Sequence, residues 1–247
     1  MLRTGIQWNA LPRQLGASST VHDRFQEWEQ AGFFRALWQA GLQSYDELIG
    51  IQWEWQAVDG AMIKAPFGDA ATGPNPTDRG KLGTKRSLLT DGAGIPLAII
   101  IAGANRHDMK LLVATLQGIV VARPQPTAGQ QHHLCLDAGY DYPATREEAE
   151  THHYVPHIRS RRQEKQAKRV IPGYRARRWV VERTHAWINR SRRLLVRWEK
   201  KAENYAAFLS LACAQLIFAK VVRFGQLLYM PGVQRGSIWR LSRKIRQ

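Results

Sequence analysis

Cysteine is almost absent, with Cys135 and Cys213 the only two in 247 residues. A four-cysteine zinc site is thereby excluded, and no disulfide framework is expected. Acidic residues are scarce too, 20 against 36 Lys and Arg, which leaves a formal charge of +16. So large an excess favours a polyanionic partner such as nucleic acid. Long apolar runs are also missing: the longest nearly apolar stretch, 206–219, has 14 residues and includes Ser210 and Gln215. A bilayer span needs about 20, so the stretch reads as a buried helix and no membrane partner is expected. The start, Met1-Leu2-Arg3-Thr4, lacks an apolar core with a small-residue cleavage site, so a cytoplasmic location is expected. What the chain does have is 44% hydrophobic residues, enough for a full core.

The positive charge is concentrated. Between His157 and Lys201 stand sixteen Lys or Arg and three acidic residues, whereas a solvated helix face normally mixes signs. Such a segment predicts binding that weakens steeply with salt, because phosphate contacts displace counterions.

Residues 1–48 read as helical. Val21, Phe25 and Trp28 recur at helical spacing behind Thr20 and Asp23, and Phe34, Leu37 and Trp38 follow Gly32. The pair fits either a helix-turn-helix or a helical hairpin packed on the next domain. From Ile51 the period becomes two, predicting a strand that ends at Asp59-Gly60. Lys85–Thr90 and Ile95–Ala102 read as a hairpin across Asp91-Gly92-Ala93-Gly94. Helix is expected over 109–121, strand over 133–136, helix over 143–152, strand over 154–158 and one long helix over 174–201. The expected architecture is an α/β domain, 49–220, with one mixed sheet flanked by helices, followed by a basic extension, 221–247, of no assigned role.

Asp59 and Asp137 each end a predicted strand just before a glycine, at the sheet edge where open α/β folds bind ligands. Glu182 lies on the last long helix, off its apolar stripe, and is the only acid between Glu164 and Glu199. Taken singly, it fits a salt-bridged surface residue. Three carboxylates together supply the hard oxygens that Mg²⁺ and Mn²⁺ require, and two such ions catalyse in-line phosphoryl displacement. Arg178, one helical turn before Glu182, is placed to offset charge on the phosphate.

These residues stand within an ordered set of motifs. Leu2-Arg3-Thr4-Gly5-Ile6-Gln7-Trp8 comes first, then Val58-Asp59-Gly60, the run from Gly73 to Lys85, and Asn105-Arg106-His107-Asp108. Leu136-Asp137-Ala138-Gly139-Tyr140 and Arg178-Trp179-Val180-Val181-Glu182-Arg183 complete it. In this order they resemble the transposases of bacterial insertion sequences in family five, whose catalytic domain is RNase H-like. The resemblance implies that Asp59, Asp137 and Glu182 are the catalytic triad and hold two Mg²⁺ ions, with Mn²⁺ able to substitute. It further implies that Lys81, Lys85, Arg86, Arg178 and Arg183 touch DNA. The partner implied is double-stranded DNA, at transposon ends and target, bound by a homo-oligomer at the bacterial nucleoid. Seven residues after Glu182 the related larger family has lysine, where this chain has Asn189, so that role is either unfilled or passes to Arg190. The chain also starts inside what resembles the N-terminal DNA-binding region. Two other readings stand beside this one: a related nuclease without strand transfer, and a truncated, inactive DNA-binding transposase.

Other candidates have simpler explanations. His132, His133, Cys135, His152 and His153 lack metal-ligand spacing. His107-Asp108 fits either the lining of the active crevice or, more simply, a helix cap with Asp108 opening the next helix, and Asp91 reads as a turn residue. Trp53, Trp55, Trp179 and Trp187 read as core.

Overall fold

The computed structural model describes residues 1–158, 161–170 and 177–228. In chain order the elements are α1 (Ser18–Gln30), α2 (Phe33–Leu48), β1 (Trp55–Lys64), β2 (Gly73–Pro74), β3 (Leu82–Thr90) and β4 (Pro96–Gly103). They continue with α3 (Leu112–Gln117), β5 (His133–Leu136), α4 (Pro143–Thr151), β6 (Val155–Ile158), α5 (Arg161–Val170), α6 (Trp179–Ile188) and α7 (Ala202–Leu228).

Strand β1 is the spine. It pairs antiparallel with β3 from Ala57–Thr90 to Lys64–Gly83, and β3 pairs antiparallel with β4. On its other edge β1 runs parallel to β5, and β5 parallel to β6. The short β2 pairs with the start of β3. An antiparallel meander followed by two strands parallel to the first makes the mixed RNase H-like sheet that was expected.

Adjacent residues of a strand point to opposite faces. Ser87 shares a hydrogen bond with Thr115 at the head of α3, whereas Arg86 donates from Nη2 to Asn189 at the end of α6. Helices α3 and α6 therefore lie on opposite sides of the sheet. Helices α1 and α2 turn about Gly32, whose φ of +71° suits glycine. Phe25, Phe34, Trp38, Leu42 and Tyr45 are buried in one continuous core with the sheet and α7, and Trp38 donates from Nε1 to the Pro96 carbonyl. That packing matches the hairpin reading of the N-terminal helices.

Three expectations need correction. First, β1 does not end at Asp59-Gly60 but continues to Lys64, because β3 pairs with it along its whole length. Second, the helix expected over 109–121 is a 3-10 turn, Asp108–Leu111, followed by the short α3. Third, the single helix expected over 174–201 is broken: residues 174–176 lie outside the described residues, α6 stops at Ile188, and a 3-10 turn spans Arg192–Leu194. The break has a cause in two arginines that turn inward. Arg193 pairs with Glu199, both nearly sealed from solvent, and Arg197 bonds the Ala70 carbonyl and Thr84.

Helix α7 also exceeds its sequence estimate. Its Ala202–Gly225 stretch has a mean hydropathy of 1.8 and is long and apolar enough to cross a membrane by length and composition. Tyr205, Phe208, Leu209, Cys213 and Ile217 on it are fully or almost fully buried, and α2 packs along it. One face of it is thus taken up by the protein's own core, while Phe218 and Val222 stay exposed.

Candidate active site

The parallel register sets Ala57 beside Cys135. Two residues further on, the same register brings Asp59 and Asp137 together as β5 ends. There Asp137 caps a short 3-10 turn, accepting the Gly139 amide at 2.8 Å. Helix α6 crosses this face, and its His185 Nε2 lies 3.3 Å from the Asp59 carbonyl oxygen. Glu182, three residues earlier, is on the same side of that helix. The three acids named from the sequence thus lie toward one edge of the sheet, where Asp137 and Glu182 both act on the Asp59 carboxyl.

The electrostatics agree with this convergence. Burial, chiefly, pushes the Asp59 carboxyl up to about 7, and the Asp137, Glu182 and Asp108 carboxylates add to the rise. Burial, with Arg86 adding to it, lowers His185 to about 3, so its ring stays neutral. Glu182 is half exposed and leans toward Arg178, whose Nε is 3.7 Å away. Among the described residues no three His, Cys, Asp or Glu side chains enclose a metal position. The acids share a field without touching, as like charges do. Their chemistry, hard oxygens gathered against mutual repulsion, suits a divalent cation.

The basic residues divide into two groups. Lys81 and Arg190 are exposed, so their cations are available to a phosphate backbone. Lys85 and Arg86, expected at DNA, are committed inside the fold. Lys85 is almost sealed from solvent, with Nζ 3.1 Å from Asp108 Oδ1 and 2.7 Å from the Arg106 carbonyl. Arg86 is fully buried and held by Asn189, the residue at the expected lysine position. Arg183 donates to the Ala93 carbonyl and sits between the Trp179 and Trp187 rings, 4.4 and 4.6 Å from their centroids.

Asp108 was read as a cap, but His107 holds the cap position without a side-chain bond and Asp108 turns to Lys85 instead. A Cβ on Gly60 would meet Asp108 Oδ1 at 2.1 Å. The missing side chain therefore lets a fourth carboxylate press against the strand directly behind Asp59. The signal available in sequence was Asn-Arg-His-Asp among the resembling motifs. Asp91 accepts the Gln52, Ala93 and Ile95 amides and is the turn residue expected. Trp53 is core, but Trp55 is only half buried, stacked on His133 and covered by Arg177.

Comparison with known proteins is consistent with this geometry. Residues 55–217 match the family described as Transposase DDE domain, and residues 1–38 match a transposase family described as IS4/5. A Burkholderia cepacia protein described as a transposase for insertion sequence element IS402 is 37% identical over 169 residues, 66% of this chain and 75% of that one. The crystal structure of a pre-cleavage Mos1 transpososome aligns at a TM-score of 0.32 with 13% identity, covering 88% of this chain and 75% of that chain. The Mos1 strand transfer complex aligns at 0.33, with 13% identity and coverage of 88% and 74%. With a family match over more than half of its length and a relative above one-third identity, this chain belongs to the DDE transposases.

Proposed function

We propose that this transposase hydrolyses a phosphodiester at the ends of a mobile double-stranded DNA element and joins the freed 3′ hydroxyl to target DNA. The observation that supports the reading is the electrostatic effect of Asp137 and Glu182, from a strand end and a helix, on the buried Asp59 carboxyl. DDE transposases normally use divalent metal ions, and here the three carboxylates would hold two Mg²⁺, with Mn²⁺ able to substitute. When bound, such ions activate the attacking oxygen and stabilise the leaving one. The protein's own groups do the rest. Arg178 offsets negative charge at the phosphate once Glu182 turns from it, and Lys81 and Arg190 hold the DNA backbone. Neutral His185, bonded to the Asp59 carbonyl, fixes the strand that carries the first carboxylate. The Arg86–Asn189 bond braces the end of α6 against β3. Work at paired ends calls for a homo-oligomer, acting at the bacterial nucleoid.

The test uses labelled transposon-end DNA with Mg²⁺, comparing wild type with Asp59→Asn, Asp137→Asn and Glu182→Gln. Each variant is expected to lose at least a thousand-fold in cleavage, on the order of 4 kcal/mol of barrier. Full activity in any one of them removes that residue from the site. Cleavage without joined products would make the chain a nuclease.

A further inference from the structure

A cavity of about 910 Å³ lies apart from the carboxylates, lined in part by Trp8, Ser18, Ser19, His22, Phe67 and Trp198. We propose that it binds one nucleotide of the DNA substrate, the base stacking on the Phe67–Trp198 pair and the phosphate meeting the polar wall. The proposal rests on the DNA-transposase reading and adds to it a contact remote from the chemistry.

The two aromatic rings carry the argument. Phe67 is 63% exposed and Trp198 48% exposed, so neither fills a core. They stand 5.7 Å apart between centroids, tilted at 42°. Two large rings left side by side in solvent are a poor use of apolar surface in a monomer and a good platform for a base. Their placement is fixed. Lys64 at the end of β1 bridges to Val196, and the Arg197 amide donates to the Lys64 carbonyl at 2.8 Å. Trp198 is therefore anchored to the strand that carries Asp59.

The opposite wall is polar and free of carboxylates. Trp8 meets His22 edge-on at 4.7 Å, and the Ser18 and Ser19 hydroxyls stand nearby. Arg193 borders the space, but Glu199 and the Ile6 carbonyl already engage it, so it adds form more than free charge. Exposed Arg192 and Arg3 lie on the adjoining segments, the Arg192 Cβ 3.2 Å from where a Gly5 side chain would begin and its amide on the Arg3 carbonyl. Aromatic rings, hydroxyls and a histidine inside a strongly basic protein suit a nucleoside phosphate. The site is also at a useful distance. Asp59 to Lys64, the residue that anchors the Trp198 segment, is roughly 16 Å of strand, about five nucleotide steps of duplex at 3.4 Å each.

The experiment measures binding of full-length protein to a mixed-sequence duplex carrying a short unpaired 3′ tail, by fluorescence anisotropy. Phe67→Ala with Trp198→Ala is expected to weaken binding about ten-fold, as loss of base stacking does. Phe67→Tyr with Trp198→Phe should restore most of it. Wild-type tryptophan emission should be quenched by the tailed DNA, and the quench should fall in the single variant Trp198→Phe, which keeps the ring platform and the fold. Wild-type-like binding by the double alanine variant, or an undiminished quench in Trp198→Phe, overturns the cavity's role while leaving the transposase reading intact. Wild-type protein that binds no DNA at all overturns that reading instead.

Discussion

Asp59 is a carboxylate kept where folding alone would favour an amide. Its carboxyl titrates near 7 in the folded protein, against about 4 in an unfolded chain. The folded state therefore takes up a proton first, and the stability this group contributes is whole below pH 4 and lost as pH rises through 7. His185 works in the other direction: held near 3 against an ordinary 6.5, it contributes stability that is whole above 6.5 and lost as pH falls through 3. Asp59→Asn is expected to raise the melting temperature of metal-free protein by several degrees at pH 8, about 1–3 kcal/mol, and to lose that gain at pH 4. Thermal melts at the two pH values check it; an equal gain at both would mean burial does not set the Asp59 titration. A second residue-scale prediction concerns the arginine under α6. Asn189→Leu removes the amide oxygen that Arg86 Nη2 donates to and leaves that end of a buried cation unpaired, at a cost of about 2–4 kcal/mol in urea denaturation. An unchanged midpoint would show that Arg86 needs no such partner. At this scale the gathering of Asp59, Asp137 and Glu182 at one place was legible in the sequence, since aspartate before glycine in an apolar strand pattern and a lone glutamate among arginines are local signals. The pairing of Asp108 with Lys85 was not, because it depends on Gly60, far from Asp108 along the chain.

Among the elements, β5 was legible to the residue because an apolar run met Asp137-Ala138-Gly139, which stops a strand locally. Strand β1 was not, since glycine after Asp59 imitates a strand end, and only the pairing with β3 reveals that the strand continues. The break after α6 was equally hidden. Arg193 and Arg197 look like more of the basic helical face until Glu199 and the carbonyls at 70 and 71 turn them inward. Gly60→Ala tests how closely strand and site are joined. Its new Cβ would displace the Asp108 carboxylate and with it the Lys85 ion pair. The expected result is a loss of about 1–3 kcal/mol in stability together with slower cleavage under conditions where the variant remains folded. Cleavage at the wild-type rate would separate Asp108 from the active site.

At the scale of the molecule, one core runs from Leu2 through α2 and the sheet to α7. Sequence periodicity announced the helices and strands but not that they share an interior, because the contacts join the two ends of the chain. Deleting residues 1–48 removes Phe25, Phe34, Trp38, Leu42 and Tyr45, each of which would cost a few kcal/mol as a single truncation, against a total stability of about 5–15 kcal/mol. The remainder, 49–247, is expected to show no cooperative melt; a sharp transition near that of the whole chain would mean the sheet and α7 suffice.

The rear of α6 alternates ring and cation: Trp179, Arg183, Trp187 and then Lys220 reaching across from α7. A helix riveted in this way along its back has little freedom to slide or roll. Drawing Glu182 toward the two aspartates would then fall to its own side chain, turning about its bonds away from Arg178.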